Sequence, residues 1–370
     1  METLAGEIGV RLAGSAGEAE AAEYIRDALA SYGYDATIQE FDFESALQYD
    51  TRLRIESPDR SFAASAMGGS PSGQAEAPIV VAGIGRPDEF PAGTAGKIAL
   101  MERGTLFFSE KVQNAAAAGA VAAVIYNDGP GPFLGRLDED VPIPVVSIPR
   151  EDGQHLADLI AKGPVSARLS IGVTTAEGRS RNVVATPPDG KCTVIAGGHL
   201  DSVANGPGAN DNASGTAVVI EMARALATDG EFDDVCFVLF GAEEVGLLGS
   251  RHYVESLTDL ERLTTRAMLN FDMLGVGHEW PIGGSGSIVE VVADAGGALG
   301  LDVRLSSLPA DTGSDHASFI AADIPAVIIN CFCDDNYHTS QDVPEFVQSQ
   351  RLEDAGNLGI ATIESLLAGG

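Results

Sequence analysis

The sequence is poor in several residue classes, and each shortage excludes a class of protein. Aromatic residues make up 6% of the 370 residues. No run of about 18 or more apolar residues occurs, which argues against a transmembrane helix. The first residues show no basic segment followed by an apolar stretch, so no intact secretory signal is visible. We therefore expect a folded globular protein and favour the cytoplasm, with export after removal of a signal as the alternative.

Basic residues are also scarce. Lysine and arginine together number 22 against 54 acidic residues, which gives a net charge of -32. Such a field repels nucleic acid and anionic membranes, so we expect neither as a partner. The acidic residues are dispersed along the chain, which favours a solvated acidic surface over an acidic binding tail. This acidic, lysine-poor composition resembles that of proteins from halophiles.

Cysteine occurs four times, at Cys192, Cys236, Cys331 and Cys333. Three of the four lie in apolar, strand-like runs, where buried reduced thiols are expected. Cys331 and Cys333 have one residue between them and no matching second pair, which is a poor zinc signature. We therefore expect structural thiols, in keeping with a cytoplasmic location.

The chain alternates between strand-like and helix-like segments. Residues 16–33 read as a helix and 34–43 as a strand, whereas 44–75 are polar and rich in turn residues. Short apolar strands follow between about 77 and 148, with a helix at 108–118. Residues 182–196 read as a hairpin whose turn is Pro-Pro-Asp-Gly. Beyond it, strands at 235–240, 267–271 and 326–330 alternate with helices, which predicts a central, largely parallel sheet covered on both faces.

Polar and ionisable residues recur at one position in these units, immediately after a strand. They are His199, Asp201, Glu243, Glu244, Asp272 and, beyond the last strand, His338. In an α/β fold such strand ends converge on one edge of the sheet. A single aspartate there is commonly a helix cap, and a single histidine is commonly a surface group. A whole set at successive strand ends favours a shared site.

Histidine and carboxylate ligands together suit Zn²⁺ or a related divalent ion. Two ions about 3.5–4 Å apart need one bridging carboxylate and further terminal ligands. Asp211, at the entrance of the helix that follows residue 213, is placed to bridge. The candidate metal ligands are therefore His199, Asp211, Glu244, Asp272 and His338.

Two stretches resemble known families. The order of Gly96–Gly104, Phe108–Ala120 and Ile143–Ile148 resembles a protease-associated (PA) domain. That resemblance covers residues 46–176 and implies a small β-rich insertion without catalytic residues. A second set of motifs resembles the M28 family of zinc aminopeptidases: His199-Leu-Asp201, Gly208-Ala-Asn-Asp211-Asn-Ala-Ser-Gly215, Ala242–Ser250, Asn270-Phe-Asp272, Ser314-Asp-His316 and Tyr337-His338.

The M28 resemblance covers residues 1–45 and 177–370 and implies a three-layer α/β peptidase domain with a central mixed, largely parallel sheet. It also implies two Zn²⁺ ions per chain bridged by Asp211. His199 and Asp272 would complete one ion, and Glu244 and His338 the other. His316 is the competing histidine, which we expect beside the ligands rather than among them.

The same resemblance implies an aminopeptidase that hydrolyses N-terminal residues from peptides with a free N-terminus. Glu243 would be the general base, and Asp201 would accept a hydrogen bond from His199 and fix its tautomer. Tyr337 would donate to the oxyanion, with a packed aromatic ring as the alternative. Glu243 and Asp272 are candidates for holding the substrate amine.

Two other functions compete with this one. A carboxypeptidase-type or other M28-fold metallohydrolase, such as a single-metal cyclase, would share the scaffold; a carboxypeptidase needs an arginine for the substrate carboxylate, for which Arg251 and Arg304 are candidates. A non-catalytic binding protein on a peptidase fold would have lost metal ligands, and the sequence retains the complete set.

The charge imbalance gives a prediction about stability. We expect the melting temperature to rise between dilute and molar KCl, because concentrated salt screens the repulsion among acidic residues. Thermal unfolding at a series of KCl concentrations measures this. A melting temperature that does not change over the series would contradict the halophile-like interpretation.

Overall fold

The computed structural model describes residues 1–368 except residues 57, 130–132, 134, 136, 138–139, 189, 231–232, 306–312 and 332–333. Asp189 of the predicted turn and Cys333 therefore lie outside the described residues. The chain divides into two compact units, Met1–Glu44 with Glu177–Gly370, and Ser45–Ala176. In the described part of the chain, no helix combines the length and the apolarity needed to cross a membrane.

The described strands are β1 (Asp35–Glu56), β2 (Asp59–Phe62), β3 (Ser65–Ala66), β4 (Gly73–Val81), β5 (Ile98–Glu102), β6 (Ala122–Tyr126), β7 (Val145–Ile148), β8 (Ser166–Thr186), β9 (Val194–His199), β10 (Val235–Phe240), β11 (Ala267–Phe271), β12 (Trp280–Gly284), β13 (Val303–Leu305) and β14 (Ala326–Ile329). The described α-helices are α1 (Ala16–Ser31), α2 (Phe108–Ala117), α3 (Arg150–Lys162), α4 (Gly215–Asp229), α5 (Leu248–Ser256), α6 (Asp259–Thr264), α7 (Ile288–Leu299), α8 (His316–Ile320) and α9 (Ser349–Ala368). Short helical turns lie at Glu2–Ile8, Pro87–Glu89 and Pro344–Phe346. The segment Ala209–Ser214 is irregular, with non-helical backbone angles at Asp211 and Asn212.

The first unit is built around parallel strands. Strands β10, β9, β11 and β14 lie side by side and run parallel, while β8 and β12 flank them in the antiparallel direction. Every residue of β10 is buried, and its side chains alternate between two cores: Phe237 packs towards the side of α1, α4, α7 and α9, and Val238 towards the side of α5 and α8. Both faces of the sheet are thus covered, and the predicted three-layer arrangement with a mixed, largely parallel sheet is confirmed.

The predicted hairpin over residues 182–196 is wrong. Strands β8 and β9 do flank the proline-rich segment, but β10 lies between them and pairs with both. The turn residues indicate where the chain reverses its direction, but they do not indicate which strand pairs with β8. The wholly apolar sequence of β10 makes it the strand that is buried on both sides.

The predicted loop over residues 44–75 is also wrong, because this part of the second unit contains strand structure. Leu53 and Ile55 of β1 are buried, while Arg54 between them is exposed and pairs with Asp59 of β2 at 2.6 Å. This alternation of apolar and charged residues is typical of a strand with one wet face. The turn residues around it obscured the pattern.

The second unit contains a small parallel sheet of its own. Strands β4, β5, β6 and β7 are parallel in that order, β3 pairs with β7, and β8 pairs with β4 in the antiparallel direction. Helix α2 packs on one face through Val112, and α3 packs on the other through Leu156. The short apolar strands predicted from about residue 77 onwards are therefore present.

The cysteine prediction is wrong. Cys192, just before β9, and Cys236 of β10 form a disulfide, and Cys331 is disulfide-bonded as well. The two strands are parallel, and Cys236 lies opposite Ile195, so the segment entering β9 passes beside it. Apolar surroundings are compatible with a thiol or a disulfide, and only the pairing of the strands distinguishes them. The thiol argument for a cytoplasmic location therefore fails.

The disulfide gives a second prediction. Replacing Cys192 and Cys236 together with alanine should lower the free energy of unfolding by about 4 kcal/mol, since the bond closes a loop with a sequence separation of 44. Urea unfolding of wild type and variant, both purified without reductant, measures the difference. Thiol titration of the denatured wild-type protein is the control, and four reactive thiols would show that the bond had not formed.

Candidate metal centre

The parallel strands bring the predicted residues to one edge of the sheet. Strand β9 ends at His199, which lies opposite Phe240, the last residue of β10. Glu243 and Glu244 follow β10 after two residues, and Asp272 follows β11 directly. The carboxyl ends of parallel strands share an edge, and ligands of α/β proteins bind at that edge.

Two groups of three ligand atoms meet there. His199 Nε2 lies 3.1 Å from Asp211 Oδ1 and 3.4 Å from Asp272 Oδ1. His338 Nε2 lies 3.0 Å from Asp211 Oδ2 and 3.0 Å from Glu244 Oε2. Asp211 belongs to both groups, with a different oxygen in each. The five residues predicted as metal ligands therefore converge.

This geometry fits a pair of divalent cations. Ligand bonds of about 2.0–2.2 Å in a tetrahedron put the ligand atoms about 3.3–3.5 Å apart, within a few tenths of an ångström of the observed separations. Glu244 Oε1 and Asp272 Oδ1 are buried and accept no hydrogen bond from the described residues. Buried carboxylate oxygens without a donor are costly unless a cation lies beside them.

Asp201 links the two strand ends, and it does not accept the hydrogen bond that we expect from His199. Its carboxylate accepts hydrogen bonds from the backbone N–H groups of Glu243 (3.1 Å) and Glu244 (3.3 Å). Its Oδ1 lies 3.6 Å from His199 Nδ1, which is longer than a hydrogen bond. Asp201 therefore fixes where the Glu243-Glu244 pair begins, and it keeps a negative charge beside the imidazole.

Glu243 lies beside the first group of ligand atoms. One of its carboxylate oxygens lies within 4.8 Å of ligand atoms of His199 and Asp272. Burial raises the pKa of Glu243, and the neighbouring His199 opposes this rise. The charges of Glu244, Asp315 and Asp272 add to it, so that the pKa lies above its ordinary value. The adjacent Glu244 is instead paired with His338, so the two consecutive glutamates are in different environments.

The crowding of carboxylates also affects the other ionisable groups. Burial, followed by the negative charge of Asp211, raises the pKa of Glu244 to about 7. Burial lowers the pKa of His338, but its pairs with Asp211 and Glu244 outweigh this and raise it to about 10. Protons or cations must therefore offset the negative charge in this centre.

Backbone strain gathers at the same edge. Among the described residues other than glycine, positive φ angles occur at Ala242, Leu247, Met273, Asp323 and His338. Ala242 precedes Glu243, Met273 follows Asp272, and His338 is itself in the centre. Each such residue costs about 1–3 kcal/mol, and the conformation persists only where surrounding contacts enforce it.

Contacts from distant segments hold the loop of Asp211. Asp342 accepts hydrogen bonds from the backbone N–H groups of Asn210 (2.7 Å) and Asp211 (3.0 Å). Asn212 donates to Phe271 O (2.9 Å), the residue before Asp272. The two loops that supply Asp211 and Asp272 are thus tied together. The sequence does not reveal either role, because Asp342 shares no motif with the ligands and Asn212, although it directly follows Asp211, has its partner in β11.

The two competing histidines differ in environment. His338 is paired with two carboxylates of the centre, and its side chain is 25% exposed. His316 is buried at the start of α8. The preceding residue, Asp315, has a negative charge that raises the pKa of Glu243. Tyr337 is partly exposed and stacks on His338, with ring centroids 3.7 Å apart.

Comparison with known proteins finds two family models that match the chain. The model of peptidase family M28 matches residues 182–363, and the model of the PA domain matches residues 75–156. Aminopeptidase YwaD of Bacillus subtilis is 34% identical to the chain over 97% of its length and 82% of the relative's length. The chain belongs to peptidase family M28. Leucine aminopeptidase 2 of Arthroderma otae is 34% identical over 85% of this M28 chain and 67% of its own.

Solved structures show the same similarity. The aminopeptidase from Aneurinibacillus sp. strain AM-1 has a TM-score of 0.77 and 32% identity, covering 96% of this chain and 89% of its own. BSAP, a zinc aminopeptidase from Bacillus subtilis, has a TM-score of 0.70 and 32% identity, covering 98% and 92%. Both resemblances noted in the sequence, to M28 and to the PA domain, are thereby confirmed.

Proposed function

We propose that this M28 peptidase is a dinuclear zinc aminopeptidase that removes N-terminal residues from peptides. The observation that carries the proposal is the position of Asp211, whose two carboxylate oxygens lie 3.1 Å and 3.0 Å from two different histidines. Each histidine also faces a second carboxylate, so each half has the donor set of a zinc site. Zinc aminopeptidases among the related structures support the choice of metal and reaction.

In this proposal the two halves have fixed ligands. His199, Asp211 and Asp272 would hold one ion, and Asp211, Glu244 and His338 would hold the other. When bound, the ions lower the pKa of water and polarise the scissile carbonyl. Asp201 keeps the Glu243-Glu244 segment in place through its two backbone contacts.

Glu243 is proposed as the general base. Its carboxylate borders the first half of the centre without being paired to a histidine as Glu244 is. It would take a proton from the attacking water and deliver it to the leaving amine. Tyr337, beside His338, is proposed to donate a hydrogen bond to the developing oxyanion.

The charge of the site favours a substrate with a free N-terminus. Glu243 and Asp272 offer carboxylates for an ammonium group. Of the arginines considered for a carboxypeptidase, Arg304 pairs with Asp302 at 2.9 Å and Glu279 at 3.2 Å, and Arg251 is exposed on α5. Because a substrate carboxylate needs a free guanidinium, these ion pairs argue against Arg304 as its partner and so support the aminopeptidase over a carboxypeptidase that uses Arg304.

We further propose that residues 1–45 and 177–370 form the M28-like peptidase domain and that 46–176 form the PA-like insertion domain. The compact units change at Glu44 and Ser45 and at Ala176 and Glu177, which supports this division. All the proposed ligands and Glu243 belong to the first unit. The insertion would then contribute no residue to the chemistry.

Replacing Glu243 with glutamine should lower kcat by about 10²–10⁴-fold, because glutamine cannot accept the proton. Both zinc ions should remain bound, since Glu243 is not proposed as a ligand. Steady-state kinetics together with metal analysis test the two statements. Glu290→Gln, an exposed position on α7, is the matched control, and loss of zinc from Glu243→Gln would show that Glu243 is a ligand instead.

Substrates with and without a free amino group test the reaction class. We expect release of p-nitroaniline from aminoacyl p-nitroanilides, and none from the same compounds with an acetylated amine, because the acidic groups would lose their cationic partner. A chelator-treated sample is the control for metal dependence. Cleavage of blocked peptides without release from free-amine substrates would contradict the aminopeptidase proposal.

A further inference from the structure

Arg11 is completely buried, and its guanidinium group is surrounded by backbone carbonyl groups. Its Nε donates to Leu200 O (2.8 Å) and its Nη2 to Gly208 O (3.0 Å). Its Nη1 contacts the carbonyl oxygens of Pro207 (2.5 Å), Gly9 (2.8 Å) and Leu4 (3.2 Å). A buried arginine in a chain with so few basic residues requires a specific reason.

Three of these carbonyls belong to the segment that joins two proposed metal ligands. Leu200 directly follows His199, and Pro207 and Gly208 lie shortly before Asp211. The backbone of Arg11 also holds the middle of this segment, because its N–H donates to Ser202 Oγ (3.0 Å) and its carbonyl accepts from Ser202 N (3.2 Å). Arg11 therefore contacts both ends and the middle of residues 200–208.

The end of the segment is sterically tight. Gly208 has a φ of 58°, and a Cβ atom there would lie 2.1 Å from Asp211 O. The direction in which the chain reaches Asp211 is thus set at Gly208, whose carbonyl Arg11 holds. On the other side, Asp342 holds the N–H groups of Asn210 and Asp211.

We propose that Arg11 is a positioning residue for the bridging carboxylate: by holding Leu200, Pro207 and Gly208, it keeps Asp211 where one oxygen faces each histidine. The inference rests on the proposed two-metal function. Arginine suits the task because its planar group carries five N–H donors in a fixed arrangement, whereas lysine has three donors on a flexible chain. Arg11 would act through the backbone and not by contact with substrate or metal.

Two simpler roles make different predictions. If Arg11 served only as a positive charge near Asp201, Asp211 and Glu244, its removal would strengthen cation binding, and lysine would replace it fully. If it served only for folding, its removal would lower the melting temperature without changing zinc affinity. Positioning predicts weaker zinc binding in the folded protein, and only partial rescue by lysine.

The test measures zinc affinity of the full-length apoprotein by competition with a chromophoric chelator. We expect Arg11→Met to lose about 10–100-fold in affinity, as found when groups that orient metal ligands are removed, and Arg11→Lys to lie between it and wild type. Lys111→Met is the matched control: Lys111 is a fully buried cation in the other unit, and its Nζ donates to Ile84 O and Glu102 O. It should lose thermal stability and keep its zinc affinity.

Several outcomes would overturn the inference. Unchanged zinc affinity in folded Arg11→Met, tighter binding in that variant, or full rescue by Arg11→Lys would each assign Arg11 a different role. If Arg11→Met does not fold, Arg11→Lys decides alone, because it keeps the charge and removes the fork of donors. Wild type that fails to bind two zinc ions would count against the proposed function itself, separately from the role of Arg11.

Discussion

Asp211 presents one carboxylate oxygen to each of two histidines, and many contacts of the surrounding residues hold it in this position. The two histidines come from segments that are far apart in sequence, and Asp211 is the group that both of them contact. Backbone N–H groups of the loop bind Asp342, and the neighbouring Asn212 binds Phe271 O. The strand ends bring these residues to the same edge of the sheet, and the hydrogen bonds then fix the position of the Asp211 carboxylate.

Repulsion among the carboxylates opposes this arrangement. Asp201, Asp211, Glu244 and Asp272 are largely buried around the two histidines, where a low dielectric strengthens the repulsion among their charges. Asp201 is partly compensated by two backbone N–H groups, and the other three face the imidazoles. These contacts do not cancel the negative charge of the carboxylates. The remaining charge is the physical reason to expect cations at this edge. Binding them would offset the cost of the backbone strain at Ala242, Met273 and His338.

The sequence predicted the parts of the molecule that depend on local pattern and on a general property of sheets. The residues proposed as ligands could be grouped from the sequence because the carboxyl ends of parallel strands meet at one edge of the sheet. The hairpin at 182–196 was wrong because β10 enters between β8 and β9 from forty residues further on. Asp342 and Arg11 were missed for a related reason: their partners are backbone atoms of distant loops, and no spacing in the sequence records them.

The cysteines and the acidic residues show that composition alone does not predict which residues pair or which are buried. An apolar run surrounds both a buried thiol and the Cys192–Cys236 disulfide, so burial alone could not decide between them. The net charge of -32 predicts a solvated acidic surface, yet Asp201, Asp211 and Asp272 are buried at the proposed metal centre. A strongly negative field repels itself, but it also attracts divalent cations and the ammonium group of a peptide. The same negative charge that we expect to lower the stability of this chain in dilute salt is therefore what the proposed chemistry requires.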